Sequence, residues 1–179
     1  MNRYVAFLRG MNLGKRRVAM ARLKELFEEI GLAKVETFIA SGNVLFSSKA
    51  KDVSKLETRI AGRLEESLGY RVDTFVRHAK EVVAIGKARA FSEEGNEGIT
   101  VHVGFLHDKL PADIGRKLTA LQTDEDEFRV NGKDYYWLCR VRVSQSKVWS
   151  SREMRALKLP SSSMRNMTSL RKLIAKHFN

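Results

Sequence analysis

Three stretches of the sequence combine residue types that suit an anionic ligand. The first is Arg9-Gly10-Met11-Asn12-Leu13-Gly14-Lys15-Arg16-Arg17. Gly10 and Gly14 let the backbone adopt unusual dihedrals and approach a ligand closely. The stretch leads into a helix, whose first N–H groups and positive dipole end favour an anion. Lys15, Arg16 and Arg17 oppose that dipole until an anion arrives, a local conflict of the kind that accompanies function. It is not a P-loop, because three residues rather than four separate the glycines and Lys15 is followed by Arg16. The second stretch is Ser41-Gly42-Asn43, a tight-turn signal whose side chains can face a ligand or simply satisfy the turn. The third is Ser161 to Ser169, where the serines read as helix N-caps and Arg165 and Asn166 offer a fork of donors to a phosphate or carboxylate. The candidate ligand-binding residues are therefore Arg9, Gly10, Asn12, Gly14, Lys15, Ser41, Gly42, Asn43, Arg165 and Asn166. For each, the competing reading is structural: an exposed basic loop, turn chemistry or a helix cap.

Other chemistry has little support. The four histidines are scattered, and no His, Asp or Glu group has metal-ligand spacing, so no metal and no cofactor are expected. There is no Gly-x-Ser-x-Gly elbow and no paired general acid and base. Whether the protein is an enzyme stays open. The single cysteine, Cys139, sits in an apolar strand and reads as a buried structural thiol. Asp124-Glu125-Asp126-Glu127 reads as a solvated turn, since it lacks the spacing of a calcium loop.

The elements that must position these residues follow from periodicity. Tyr4–Leu8 is a strand. Ala19–Ile30 is a helix with Met20, Leu23, Leu26, Phe27 and Ile30 on one face, ended by Gly31. Val35–Ala40 and Val44–Ser48 are strands around the Ser41–Asn43 turn. Asp52 caps a helix striped with Val53, Leu56, Ile60, Leu64 and Leu68 and ended by Gly69. Tyr70–Val76 is a fourth strand. The order is β-α-β-β-α-β, the ferredoxin-like arrangement, in which the loop after strand one and the turn after strand two emerge at one end of the sheet. A helix over 79–90 and a polar loop at Ser92–Gly98 follow. Then come a strand at Ile99–Phe105, a helix opened by Pro111, a hairpin at Asn131-Gly132, and helices at Ser150–Leu157 and Met167–Phe178. The expected fold class is α+β: a ferredoxin-like N-terminal half over 1–78, a helix and linker over 79–98, and a second small α/β subdomain over 99–179. An RNA-recognition module is disfavoured, because Val44-Leu45-Phe46-Ser47 lacks its aromatic pattern. No internal sequence repeat is visible.

Charge points the same way as the first stretch. The net charge is +12, and the last 40 residues hold ten Lys and Arg against one acid, Glu153, a net +9. A basic face of this kind is the footprint of a polyanion binder, or else a solubilising surface. No apolar run reaches the ~20 residues that span a bilayer, and the start is too short in apolar residues for a signal peptide, so cytoplasmic residence is expected.

The motifs also carry a resemblance. Tyr4-Val5-Ala6-Phe7-Leu8-Arg9-Gly10-Met11-Asn12-Leu13-Gly14, Met20, Leu23, and Thr37 to Phe46 with its Ser41-Gly42-Asn43-Val44 core resemble the domain-of-unknown-function family numbered 1697. The likeness extends along nearly the whole chain. It implies a ferredoxin-like first half, an α/β second half, a bacterial and mostly cytosolic setting, and no established activity. Lys15 stands where the family has a second glycine. In the closing motif Arg165, Asn166, Lys172 and Leu173 match, while Met167, Thr168 and Ser169 replace tryptophan, asparagine and threonine, so a stacking aromatic there is lost. The resemblance adds weight to Arg9, Asn12, Ser41 and Asn43. The expected partners are nucleic acid at the basic C-terminal face or, alternatively, a small phosphorylated molecule at the Arg9–Arg17 loop and the Ser41–Asn43 hairpin.

Overall fold

The structure is a computed structural model that describes residues 1–39 and 42–179. The chain divides into two units, Met1–Ile85 with Phe178 and Gly86–His177 with Asn179. The fold is α+β, with a four-stranded antiparallel sheet in each unit.

The first unit runs β1 (Asn2–Arg9), α1 (Met20–Glu29), β2 (Ala33–Phe38), β3 (Asn43–Ser48), α2 (Val53–Leu68) and β4 (Asp73–His78), followed by α3 (Ala79–Lys87). The expected β-α-β-β-α-β order is present, and the strands lie in the order β2-β3-β1-β4. Strand alternation sends Tyr4, Ala6 and Leu8 to one face of the sheet, where they meet Leu23, Leu26 and Phe27 of α1 and Leu56, Ile60 and Leu64 of α2. Burying such side chains stabilises by roughly 1.5–3 kcal/mol each. The two helix signals read from sequence work as expected. The Asp52 carboxylate accepts from the backbone N–H of Lys55 at 3.1 Å, and Gly69 closes α2 in the left-handed conformation with φ 78°.

The second unit runs β5 (Thr100–Phe105), α4 (Ala112–Ala120), β6 (Asp126–Asn131), β7 (Asp134–Cys139), α5 (Arg152–Leu157), β8 (Ser163–Asn166) and α6 (Met167–His177). Its strand order is β6-β7-β5-β8. That is the topology of the first unit again, element for element, without a sequence repeat to announce it. Equivalent bonds recur. Leu8 N donates to the Gly42 carbonyl and Leu106 N to the Lys133 carbonyl, each at 2.9 Å. Arg77 faces Val5 in the strand register and Arg165 faces Val103. Each guanidinium donates to the carbonyl of the preceding residue, Val76 at 3.0 Å and Met164 at 2.9 Å.

Two expectations need correction. Ser163–Asn166 is a strand paired with β5, not a run of serine caps, and α6 is capped by Asn166, whose Oδ1 accepts from Thr168 N at 2.8 Å. The acidic run is not a solvated turn throughout. Asp126 is buried, and its Oδ1 accepts from Trp137 Nε1 and Ser146 Oγ, each at 2.8 Å. Glu127 is buried beside Arg140 and Arg129. No helix among the described residues is long and apolar enough to cross a membrane.

Candidate functional site

The loop between β1 and α1 is held by its own side chains. Asn12 Oδ1 accepts from Val18 N at 3.1 Å, closing the loop across its base. Tyr70 donates its hydroxyl to the Met11 carbonyl at 2.8 Å, and the Arg16 guanidinium stacks 4.1 Å from the centre of the Tyr70 ring. Arg17 donates to the Gly14 and Arg16 carbonyls. Gly10 and Gly14 both take left-handed conformations, with φ 81° and 59°. Arg9, Lys15, Arg16 and Arg17 are exposed. Helix α1 begins without a side-chain cap and without an acid in its first turn.

Gly42 and the end of β1 that leads into the loop lie at one end of the sheet. Gly42 lies against β1 with φ 79°, and a Cβ there would stand 3.0 Å from Leu8 Cβ. Glycine is thus required twice over, by conformation and by close approach. Asn43 is buried and donates its amide to the Phe38 carbonyl at 3.0 Å, fastening β2 to β3. Asn12, Gly42 and Asn43 therefore hold the scaffold, while Arg9 and Lys15 present charge. Ser41 lies outside the described residues.

Arg165 and Asn166 are strand residues of the second unit. Arg165 donates to Ser163 Oγ at 2.9 Å, and burial pushes its guanidinium down to about 10. Met167 is 2% exposed, so this is a core position rather than a stacking platform. Cys139 is buried and donates to the Val141 carbonyl, and burial pushes its thiol up.

Eight of the ten C-terminal cations sort into two groups, and the other two, Lys172 and Lys176, are exposed on α6. Arg140 is bound by Glu93 at 2.6 Å and Glu127 at 2.8 Å. Arg171 is bound by Glu94 at 2.6 Å and by the Gly86 carbonyl, and Arg165 is half-buried and donates to Ser163 Oγ. These three are internal fixtures. Arg142, Lys147, Arg152, Arg155 and Lys158 are exposed on a single segment that packs inward through Val148, Met154 and Leu157. Arg152 and Arg155, three residues apart on α5, share its outer face. Beside this segment a cleft of about 530 Å³ is lined by Thr123, Asp124, Glu125, Lys147, Ser151 and Glu153 among others, and it bounds the basic surface with acid.

The family model described as Protein of unknown function (DUF1697) matches residues 1–136. The chain belongs to that family. The matched residues of this DUF1697 chain include the whole loop and hairpin but stop before the C-terminal cations, so the sequence likeness read beyond residue 136 lies outside the match. Among solved structures, the conserved bacterial protein SP0830 from Streptococcus pneumoniae is similar at a TM-score of 0.72 and 20% identity, covering 98% of this chain and 99% of its own. At that identity the likeness shows the fold alone. No curated protein matches the chain.

Sequence reasoning missed the internal use of Arg140, Arg165 and Arg171. The acidic partners of Arg140 and Arg171, Glu93, Glu94 and Glu127, are distant in sequence, and only folding brings them near. Asn12 and Asn43, read as ligand candidates with turn chemistry as the alternative, make short-range bonds to Val18 N and the Phe38 carbonyl.

Proposed function

We propose that the protein binds a polyanion, nucleic acid foremost, through the exposed surface of residues 142–158. The observation that carries this reading is the five exposed cations on that segment against one acid, Glu153. Phosphate contacts from such residues are driven by counterion release and need no built pocket. The acidic cleft limits the path of the strand to one side of the segment. The test is fluorescence anisotropy with labelled single-stranded RNA and duplex DNA. A triple variant, Arg142→Gln, Arg152→Gln and Arg155→Gln, is expected to weaken binding and to lower the salt slope by about one per lost phosphate contact. Neutralising the exposed Lys49, Lys51 and Lys55 of the first unit is expected to do much less. Equal losses from both triple variants would reduce the effect to net charge and remove the assignment to this surface.

A second reading, a small phosphorylated ligand at the Arg9–Arg17 loop and the Ser41–Asn43 hairpin, is favoured by the way Asn12 and Tyr70 fix the loop while Arg9 and Lys15 stay exposed. It expects thermal stabilisation by one phosphorylated metabolite, lost in Arg9→Ala.

A further inference from the structure

Strand β2 departs from regular pairing at one place. Ala33 pairs with Ser47 and Glu36 with Leu45, so β2 carries one residue more than β3 across this step, a β-bulge. Bulges take a side chain out of the pleat and re-aim it. The residue concerned is Lys34, held at φ 49°, a left-handed conformation that costs a lysine energy. Lys34 lines a cavity of about 630 Å³ together with Met1, Arg3 and Ser47. Arg3 and Ser47 are direct partners across β1 and β3, on the sheet face opposite to α1 and α2. Ser47 is 6% exposed, yet its hydroxyl makes no hydrogen bond to any described residue. The hydroxyl opens on the cavity, where water or a ligand can partner it. Arg3 is held by Glu36 at 3.1 Å, and Lys34 has no ion pair among the described residues, so Arg3, Glu36 and Lys34 sum to one positive charge.

The polar groups offered to the cavity include a guanidinium fork, an ammonium and a hydroxyl that differ in geometry. Such a set suits a tetrahedral oxyanion better than a planar carboxylate, which asks for two coplanar donors. The volume falls in the range of small-molecule sites and leaves room for an organic body beyond the anion. We infer that this cavity binds a small phosphate monoester, with Lys34 and Ser47 donating to its phosphoryl oxygens and Arg3 supplying further positive charge. None of these residues belongs to the 142–158 surface.

The experiment is an amide-resolved NMR titration of the full chain with inorganic phosphate and then glycerol phosphate, against chloride at matched ionic strength. The expected result is saturable shifts centred on Arg3, Lys34 and Ser47, tighter for the ester. Lys34→Asn is expected to weaken glycerol phosphate at least about tenfold, one lost charged contact. It should melt no lower than the parent, because asparagine takes the left-handed conformation more readily than lysine. Ser47→Ala gives up no internal hydrogen bond, so it too should melt like the parent while binding more weakly. Shifts confined to residues 9–17, an absence of saturable shifts, or unchanged affinity in both folded variants would overturn the assignment.

Discussion

At Gly104 the ring of Tyr135, its cross-strand partner, lies over the position that a Cβ would occupy. Tyr135 cannot move away freely, because it is fully buried and its hydroxyl is bonded to Ser162 Oγ at 2.7 Å. Gly104→Ala is therefore expected to destabilise by about 1–3 kcal/mol, the usual cost of overpacking a core, as read from the urea midpoint. Nothing in the local sequence marks this glycine, since the requirement comes from the opposite strand. His102, two residues earlier, gives a pH signature. Its ring packs 5.0 Å from that of Trp137, its Nδ1 is buried without a partner among the described residues, and burial holds its pKa below the ordinary 6.5. The unfolded chain takes the proton first. The stability from keeping His102 neutral is thus complete above 6.5 and lost as pH falls from there through the depressed folded-state value. The drop in urea midpoint between about pH 7.5 and about pH 5 should be smaller in His102→Gln than in the parent; an equal drop would place the titration elsewhere.

Elements were legible where a single side chain decides them. Asp52 and Gly69 bound α2, Asn131-Gly132 turns the β6–β7 hairpin, and the leucine and isoleucine stripe faces the first core. β8 was not legible. Its four residues, Ser163–Asn166, carry no alternation of their own and become a strand by pairing with the edge of β5. The edge at β4 is managed differently. Glu57 of α2 is buried, and its Oε1 accepts from Val76 N at 2.9 Å, covering a backbone donor on that edge strand. Glu57→Ala would leave that N–H buried and unpaired, a loss of about 1–3 kcal/mol. The expected fingerprint is faster amide exchange at Val76. In the second unit the buried Asp126 of β6 accepts from two side chains instead, joining Trp137 of β7 to Ser146. Its place in an acidic run concealed that role, because the burial that decides it comes from residues 11 and 20 positions away.

Across the whole chain, one topology is used twice with different residues at equivalent places. Gly42 and Lys133 both supply a turn carbonyl to the end of a unit's first strand. The buried Arg77 and the half-buried Arg165 occupy one register position in the two sheets, and each donates to the carbonyl of the preceding residue. The sequence pattern exposed the first copy because its helices are capped and regular; the second copy hid behind short elements and a four-residue strand. Net charge, by contrast, was readable at once, but its distribution was not. Of the +9 in the last 40 residues, three cations are spent on internal carboxylates, carbonyls or burial. The exposed remainder on residues 142–158 is the basis of the proposed function. The direct measurement is the affinity of the full chain for a labelled single-stranded RNA over a series of salt concentrations. Log K should fall linearly with log salt at a slope near −0.7 for each phosphate contacted, about −2 to −4 for this surface. Affinity that does not change with salt, or no binding even at low salt, would contradict it.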